Sequence, residues 1–188
     1  MTQTAWIVVA IAVVALLIVA AAILSSRRRS AHLKDRFGRE YDRTIEAKGD
    51  RSKAEADLAE REKRVEKLHI RPLETSERRD FIDRWTEVQA RFVDDPARAV
   101  AFADALLGDV MKARGYPVND FEQRAGDISV DHPVVVEHYH KAHEIAVRHG
   151  RGEATTEDLR QAMIHYRALF DNLVGAQAAA AREPEATH

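Results

Sequence analysis

The apolar positions of this chain fall into three regimes. From Ala5 to Leu24 they are continuous: AWIVVAIAVVALLIVAAAIL carries no charge and no strongly polar group. About 20 apolar residues of helix match the roughly 30 Å hydrocarbon core of a bilayer, where a helix satisfies its own backbone. The run therefore predicts a transmembrane anchor over residues 1–26, with Trp6 at one interface. A cleaved signal peptide would need a positive leading segment and an apolar run of about 7–15 residues. Met1–Thr4 holds no Lys or Arg, and the run is longer. Arg27, Arg28 and Arg29 follow at once, and positive charge beside a span stays cytoplasmic. The expected placement is a single pass in the inner, cytoplasmic membrane, N-terminus out and the rest inside. The three arginines are also the residues placed to meet lipid headgroups.

The second regime, residues 27–71, mixes sparse apolar positions with dense charge. Leu33, Phe37, Tyr41 and Ile45 recur every four residues, a helical stripe. From Asp42 to Arg71 there are nine Lys/Arg and eight Asp/Glu, interleaved, with i,i+4 pairs such as Arg51–Glu55 and Asp57–Arg61. This reads as a charged helical stalk, weakened at Gly38 and Gly49. One heptad register places Ala47, Ala54, Leu58, Val65 and Leu68 on a seam, but also Arg51 and Arg61. The seam supports weak self-association at most.

After Pro72 the pattern becomes amphipathic helices with clear starts and stops. One begins near Thr75 or Ser76, either of which is expected to cap it, with the stripe Phe81, Ile82, Trp85, Val88, Gln89 and Phe92. The next opens at Asp94-Asp95-Pro96 and stops at Gly115. A short one is expected from Asn119 with Glu122 at N3, a capping-box spacing. Asp131 is expected to cap a fourth, ending at Gly150, and Thr155 a fifth with Asp158 at N3, ending at Gly175. No alternating β-branched run is long enough for a strand. The predicted fold is all-α: anchor, stalk, a four- to five-helix bundle over 72–175, and a disordered tail over 176–188.

Composition narrows the function. Hydrophobic residues are 45% of 188, but the N-terminal block takes a large share, leaving enough for one domain of roughly 100 residues. A formal charge of −2 argues against a dedicated nucleic-acid binder. The chain has no cysteine, so thiolate catalysis, disulfides and cysteine zinc sites are excluded. There is no phosphate-binding glycine loop and no nucleophile elbow.

Candidate chemistry concentrates in SVDHPVVVEHYHKAHEIAVRHG, residues 129–150, with five of the nine histidines. Val135, Tyr139, Ala142, Ala146 and His149 form one stripe, and Val136, His140, His143 and Val147 its neighbour. Glu137-x-x-His140 has the spacing used in di-iron bundles, but the further glutamates that chemistry requires are missing. His143-Glu144 lacks the second histidine of a zinc-protease helix. His132, Glu137, His140, His143 and Glu144 are the candidate metal ligands of the alternative reading, and histidine titration near pH 6.5 makes the helix a candidate pH sensor. Tyr116, in a Gly-Tyr-Pro loop, is a docking aromatic or a cover over a helix end. Together with His140 and His143 it is a candidate partner contact.

The strings RFGREYDR (36–43), RFVDDP (91–96), RGYPVNDFEQRA (114–125), SVDHP (129–133) and EDLRQAMIHYRALF (157–170) carry a resemblance over roughly 33–174. They resemble an uncharacterised family of short bacterial proteins with one N-terminal span and a helical soluble domain. The resemblance implies the architecture and brings no catalytic residue or cofactor. The expected function is a membrane-anchored helical adaptor that binds a protein partner, with no enzymatic activity, no cofactor and no nucleic acid. The alternative is a metal- or ligand-binding domain built on the histidine-rich helix.

Overall fold

A computed structural model describes the backbone from Gln3 to Ala180 and the side chains from Val13 to Gly175. Among the described residues every regular element is a helix: α1 Gln3–Phe37, α2 Arg39–Lys48, α3 Arg51–Val65, α4 Thr75–Arg91, α5 Pro96–Arg114, α6 Phe121–Asp131, α7 Pro133–Gly150 and α8 Thr156–Ala180. The chain divides into two compact units, residues 1–59 and 60–188, ahead of the break expected at Pro72.

The transmembrane expectation is corrected. Among the described residues no helix is long and apolar enough to cross a membrane. Of the apolar run, Val13–Leu24 has described side chains. Trp6 and the start of the run lie outside the described side chains. Leu16, Leu17 and Ile18 are exposed, and α1 carries on through Arg27–Arg29 to Phe37.

The charged stretch is not one continuous spacer helix. Gly38 and Gly49 sit at φ 53° and 64°, in the left-handed region that glycine adopts without strain. They cut the stretch into the end of α1, the ten-residue α2, and α3. Within the first unit the chain folds back on itself. Leu33, Phe37 and Tyr41 are buried, as are Ala54 and Leu58 of the expected seam. Glu55 Oε1 collects hydrogen bonds from Ser30 Oγ (2.7 Å), Tyr41 Oη (2.7 Å) and Arg51 Nε (2.8 Å). Lys48 pairs with Asp57 at 3.2 Å.

In the second unit α8 is the central strut, packed along α7 and α5, with α4 on α5 and α6 on α7. Amphipathic stripes drive this assembly because each helix must cover one apolar face. Trp85 of α4 stacks on Phe170 of α8 with centroids 4.7 Å apart. Tyr139, Tyr166, Leu107, Met111, Ile128 and Leu169 are fully buried around them. Asp95 caps α5 by accepting from Arg98 N at 3.0 Å, with Pro96 in the first turn. Thr155 and Asp158 exchange bonds at the start of α8.

Three start signals differ from the sequence reading, the first being that Glu74, not Thr75 or Ser76, stands at the N-cap of α4. Asp120, not Asn119, caps α6 through Gln123 N. Asp131 does not cap α7: it ends α6, and its carboxylate instead accepts from Tyr116 Oη at 2.9 Å. The helix stop expected at Gly175 does not occur, since α8 continues to Ala180. The rest of the expected tail, 181–188, lies outside the described residues.

Candidate functional site

The first predicted stripe of α7 faces inward and the second does so through Val136, His140 and His143, with Val147 exposed, so the histidines are spread over different environments. His132 lies at the α6–α7 junction, with Nε2 3.3 Å from Arg114 Nη1. A guanidinium only donates, so His132 accepts there and is neutral. His140 is buried with its ring edge-on to Phe121 at 5.6 Å. His143 stacks on the Phe121 ring, with centroids 3.5 Å apart and the planes nearly parallel. Glu137 pairs with Lys141 at 2.7 Å, and Glu144 is exposed. The five candidate ligands are thus not brought to one point. Among the described residues no group of three or more His, Cys, Asp or Glu side chains is placed to hold a metal ion. Tyr116 is buried, bonded to Asp131, with the Arg114 guanidinium over its ring at 5.8 Å, and offers no face for docking.

Two polar clusters were not visible in the sequence. His138 of α7 and His165 of α8 meet Nδ1 to Nδ1 at 2.9 Å. One ring must donate and the other accept, so at least one is neutral. The second cluster gathers on Asp104 of α5. Tyr139 Oη and Tyr166 Oη reach its Oδ1 and Arg124 Nη2 its Oδ2, each at 3.4 Å. Burial, then the Asp104 carboxylate, raises both phenols well above their ordinary range, which keeps them protonated and donating. This cluster ties four helices together.

Three histidines are held below the usual imidazole range. For His132 the cause is burial, then the Arg114 charge, against opposing pulls from Asp131 and Asn172. For His143 it is burial, with Asp104 and Glu122 opposing and Arg124 and His140 adding to it. For His165 it is burial, then His138 and Lys141, against Glu137. Each binds a proton more readily unfolded than folded, so stability is complete above about pH 6.5 and falls as pH drops below it. Asp127 acts in the opposite sense, because burial raises its carboxyl. The urea midpoint should therefore be lower at pH 5.5 than at 7.5 with m unchanged. His132→Asn and His143→Gln should flatten that difference. A midpoint that holds or rises at pH 5.5 refutes the assignment.

The surface feature that sequence reading missed is a groove between α4 and α8, of about 200 Å³. Trp85, Phe92 and Met163 form its apolar base, Ile164 and Gln89 its flanks, and Arg160 and Arg167 its α8 rim. Ile164 is 47% exposed. The Trp85 indole N–H is buried and has no acceptor among the described residues. Only the spacing of Met163, Ile164 and Arg167 hinted at this in the sequence, because the other wall comes from a helix some 75 residues away in the chain. The chain matches no family model, no curated protein and no solved structure.

Proposed function

We propose that the chain is a helical protein-interaction module whose α4–α8 groove takes an amphipathic, acidic segment of a partner protein. The observation that carries this reading is an apolar groove lined by Trp85, Phe92, Met163 and Ile164 and rimmed by two arginines. Helix-in-groove recognition uses such a surface: apolar anchors fill the floor and charges at the rim fix orientation. Arg160 and Arg167 pair within α8 to Glu157 and Asp171. These are exposed pairs of a kind that contributes little, so both guanidiniums can turn to carboxylates of a bound segment. The charge complement therefore selects an acidic segment over a basic one.

The test uses photo-crosslinking from position 164 in the full chain, expressed in its native cells, with position 93 as control. Val93 is 84% exposed and lies outside the groove. The expected result is an adduct at 164 and not at 93, lost when Arg160→Glu and Arg167→Glu are combined. The crosslinked segment should carry Asp or Glu beside its apolar residues. A basic crosslinked segment, or adducts indifferent to the two arginines, overturns the reading.

A further inference from the structure

A second groove lies in the first unit, far larger than the α4–α8 groove and different in chemistry. It runs between α1 and α3, encloses about 540 Å³, and is lined by Ser26, Arg27, Ser30, Lys34, Arg51 and Ser52, with Glu55 in its wall. It continues past Ser25 and Arg29. We propose that this groove binds a phosphate-bearing anion.

The charge count is one-sided. Among the described residues Glu55 is the one carboxylate lining the groove, against Arg27, Arg29, Lys34 and Arg51. Burial pushes the Glu55 carboxyl up, but hydrogen bonds from Arg51, Ser30 and Tyr41 outweigh it and hold it below its ordinary range. Glu55 is therefore a fixed anion already answered by Arg51 at 2.8 Å. That leaves three cations in excess, four less one. Among the described residues Arg27, Arg29 and Lys34 have no carboxylate partner.

Their placement follows from helix geometry. Arg27 and Lys34 are seven residues apart, two turns of α1, and so share one face. Ser26 and Ser52 add hydroxyl donors from the two walls. Several cationic and hydroxyl donors around one space suit a multiply charged, many-oxygen acceptor, for which charge-assisted hydrogen bonds are strongest. The volume lies in the range of small-molecule sites and leaves room for the group that carries the phosphate. Both a soluble phosphate ester and a phospholipid headgroup present this chemistry.

The experiment uses the full chain and two probes. Calorimetric titration with glycerol phosphate reads the soluble source. Sedimentation with vesicles of phosphatidylglycerol, against phosphatidylcholine vesicles, reads the lipid source, and the neutral vesicles cancel any contribution from the apolar residues of α1. The double variant Arg27→Gln, Lys34→Gln removes two exposed charges without touching a buried side chain, and Lys63→Gln is the control. Two charges near an anionic surface correspond to a loss of roughly thirtyfold in the double variant, with little change in the control. A loss for glycerol phosphate assigns a soluble ester, and a loss confined to the preference for anionic vesicles assigns a headgroup. If neither probe distinguishes the double variant from the unsubstituted chain, the groove is not an anion site and the proposal fails.

Discussion

Gly115→Ala is expected to cost the second unit about 3 kcal/mol, the largest loss for the addition of one methyl group. Gly115 closes α5 at φ 95°, a conformation that costs an L-residue roughly 1–2 kcal/mol. The decisive factor is its neighbour. A Cβ there would lie 2.4 Å from the His69 carbonyl oxygen, which is backbone and cannot rotate away. The segment is pinned, because Arg71 N donates to Arg114 O at 2.8 Å. Relieving the clash means separating the 66–74 connection from the end of α5, where Leu73 is buried and Tyr116 packs. The melting temperature should fall by roughly 10 °C. Gly152 is the control: it has φ 75° with nothing within 4 Å of an added Cβ, so Gly152→Ala should cost about 1 kcal/mol. Equal losses at the two positions would show that the His69 contact is not the cause.

Arg64→Met should be comparably damaging. Asp127 has no side-chain exposure, and its Oδ1 accepts from Arg64 Nε at 2.8 Å and Nη2 at 2.7 Å. Burial of an ion pair adds little net stability, but removal of one partner strands the other charge, typically at 3–5 kcal/mol. Arg64 is 35% exposed and the Arg61 charge also acts on Asp127. The loss therefore belongs near the low end, about 3 kcal/mol. The carboxyl can escape by taking a proton, so the deficit relative to the unsubstituted chain should be larger at pH 7 than at pH 4.5. Arg64→Met combined with Asp127→Leu should recover much of the loss, since an apolar pair of similar size needs no compensation. A pH-independent deficit would mean that Arg64 acts through packing of its stem instead.

What the sequence disclosed was local. Asp95-Pro96 and Thr155-x-x-Asp158 mark the starts of α5 and α8 because capping bonds form between residues three apart, and the repeat of apolar positions marks the buried faces. Asp131 shows the limit of that logic. Its position suits a cap, yet Tyr116, fifteen residues away, takes its carboxylate, and His132 precedes α7 with no side-chain cap. The polar clusters are out of reach for the same reason. Asp104, Arg124, Tyr139 and Tyr166 meet only once four helices have packed. His138 reads as one of many histidines until α8 brings His165 to it. The α4–α8 groove depends on a gap between two helices, which no periodicity encodes. The fold-back of the charged stretch depends on two glycines, each legible as a weak point but not as a reversal.

The division between the two units falls inside a helix. Residues Arg51–Ala59 of α3 belong to the first and Glu60–Val65 to the second. Six residues are too few to hold a helix by themselves, and they include the Arg64 that answers Asp127. The units are separate as packed bodies but not as heritable parts. A recombination breakpoint at that division would give one product a frayed stub and a weakened carboxylate partner, and a breakpoint at Pro72 would remove the partner altogether. Exchange of the second unit between genes is therefore expected to preserve the chain from Arg51 onward as one inherited block.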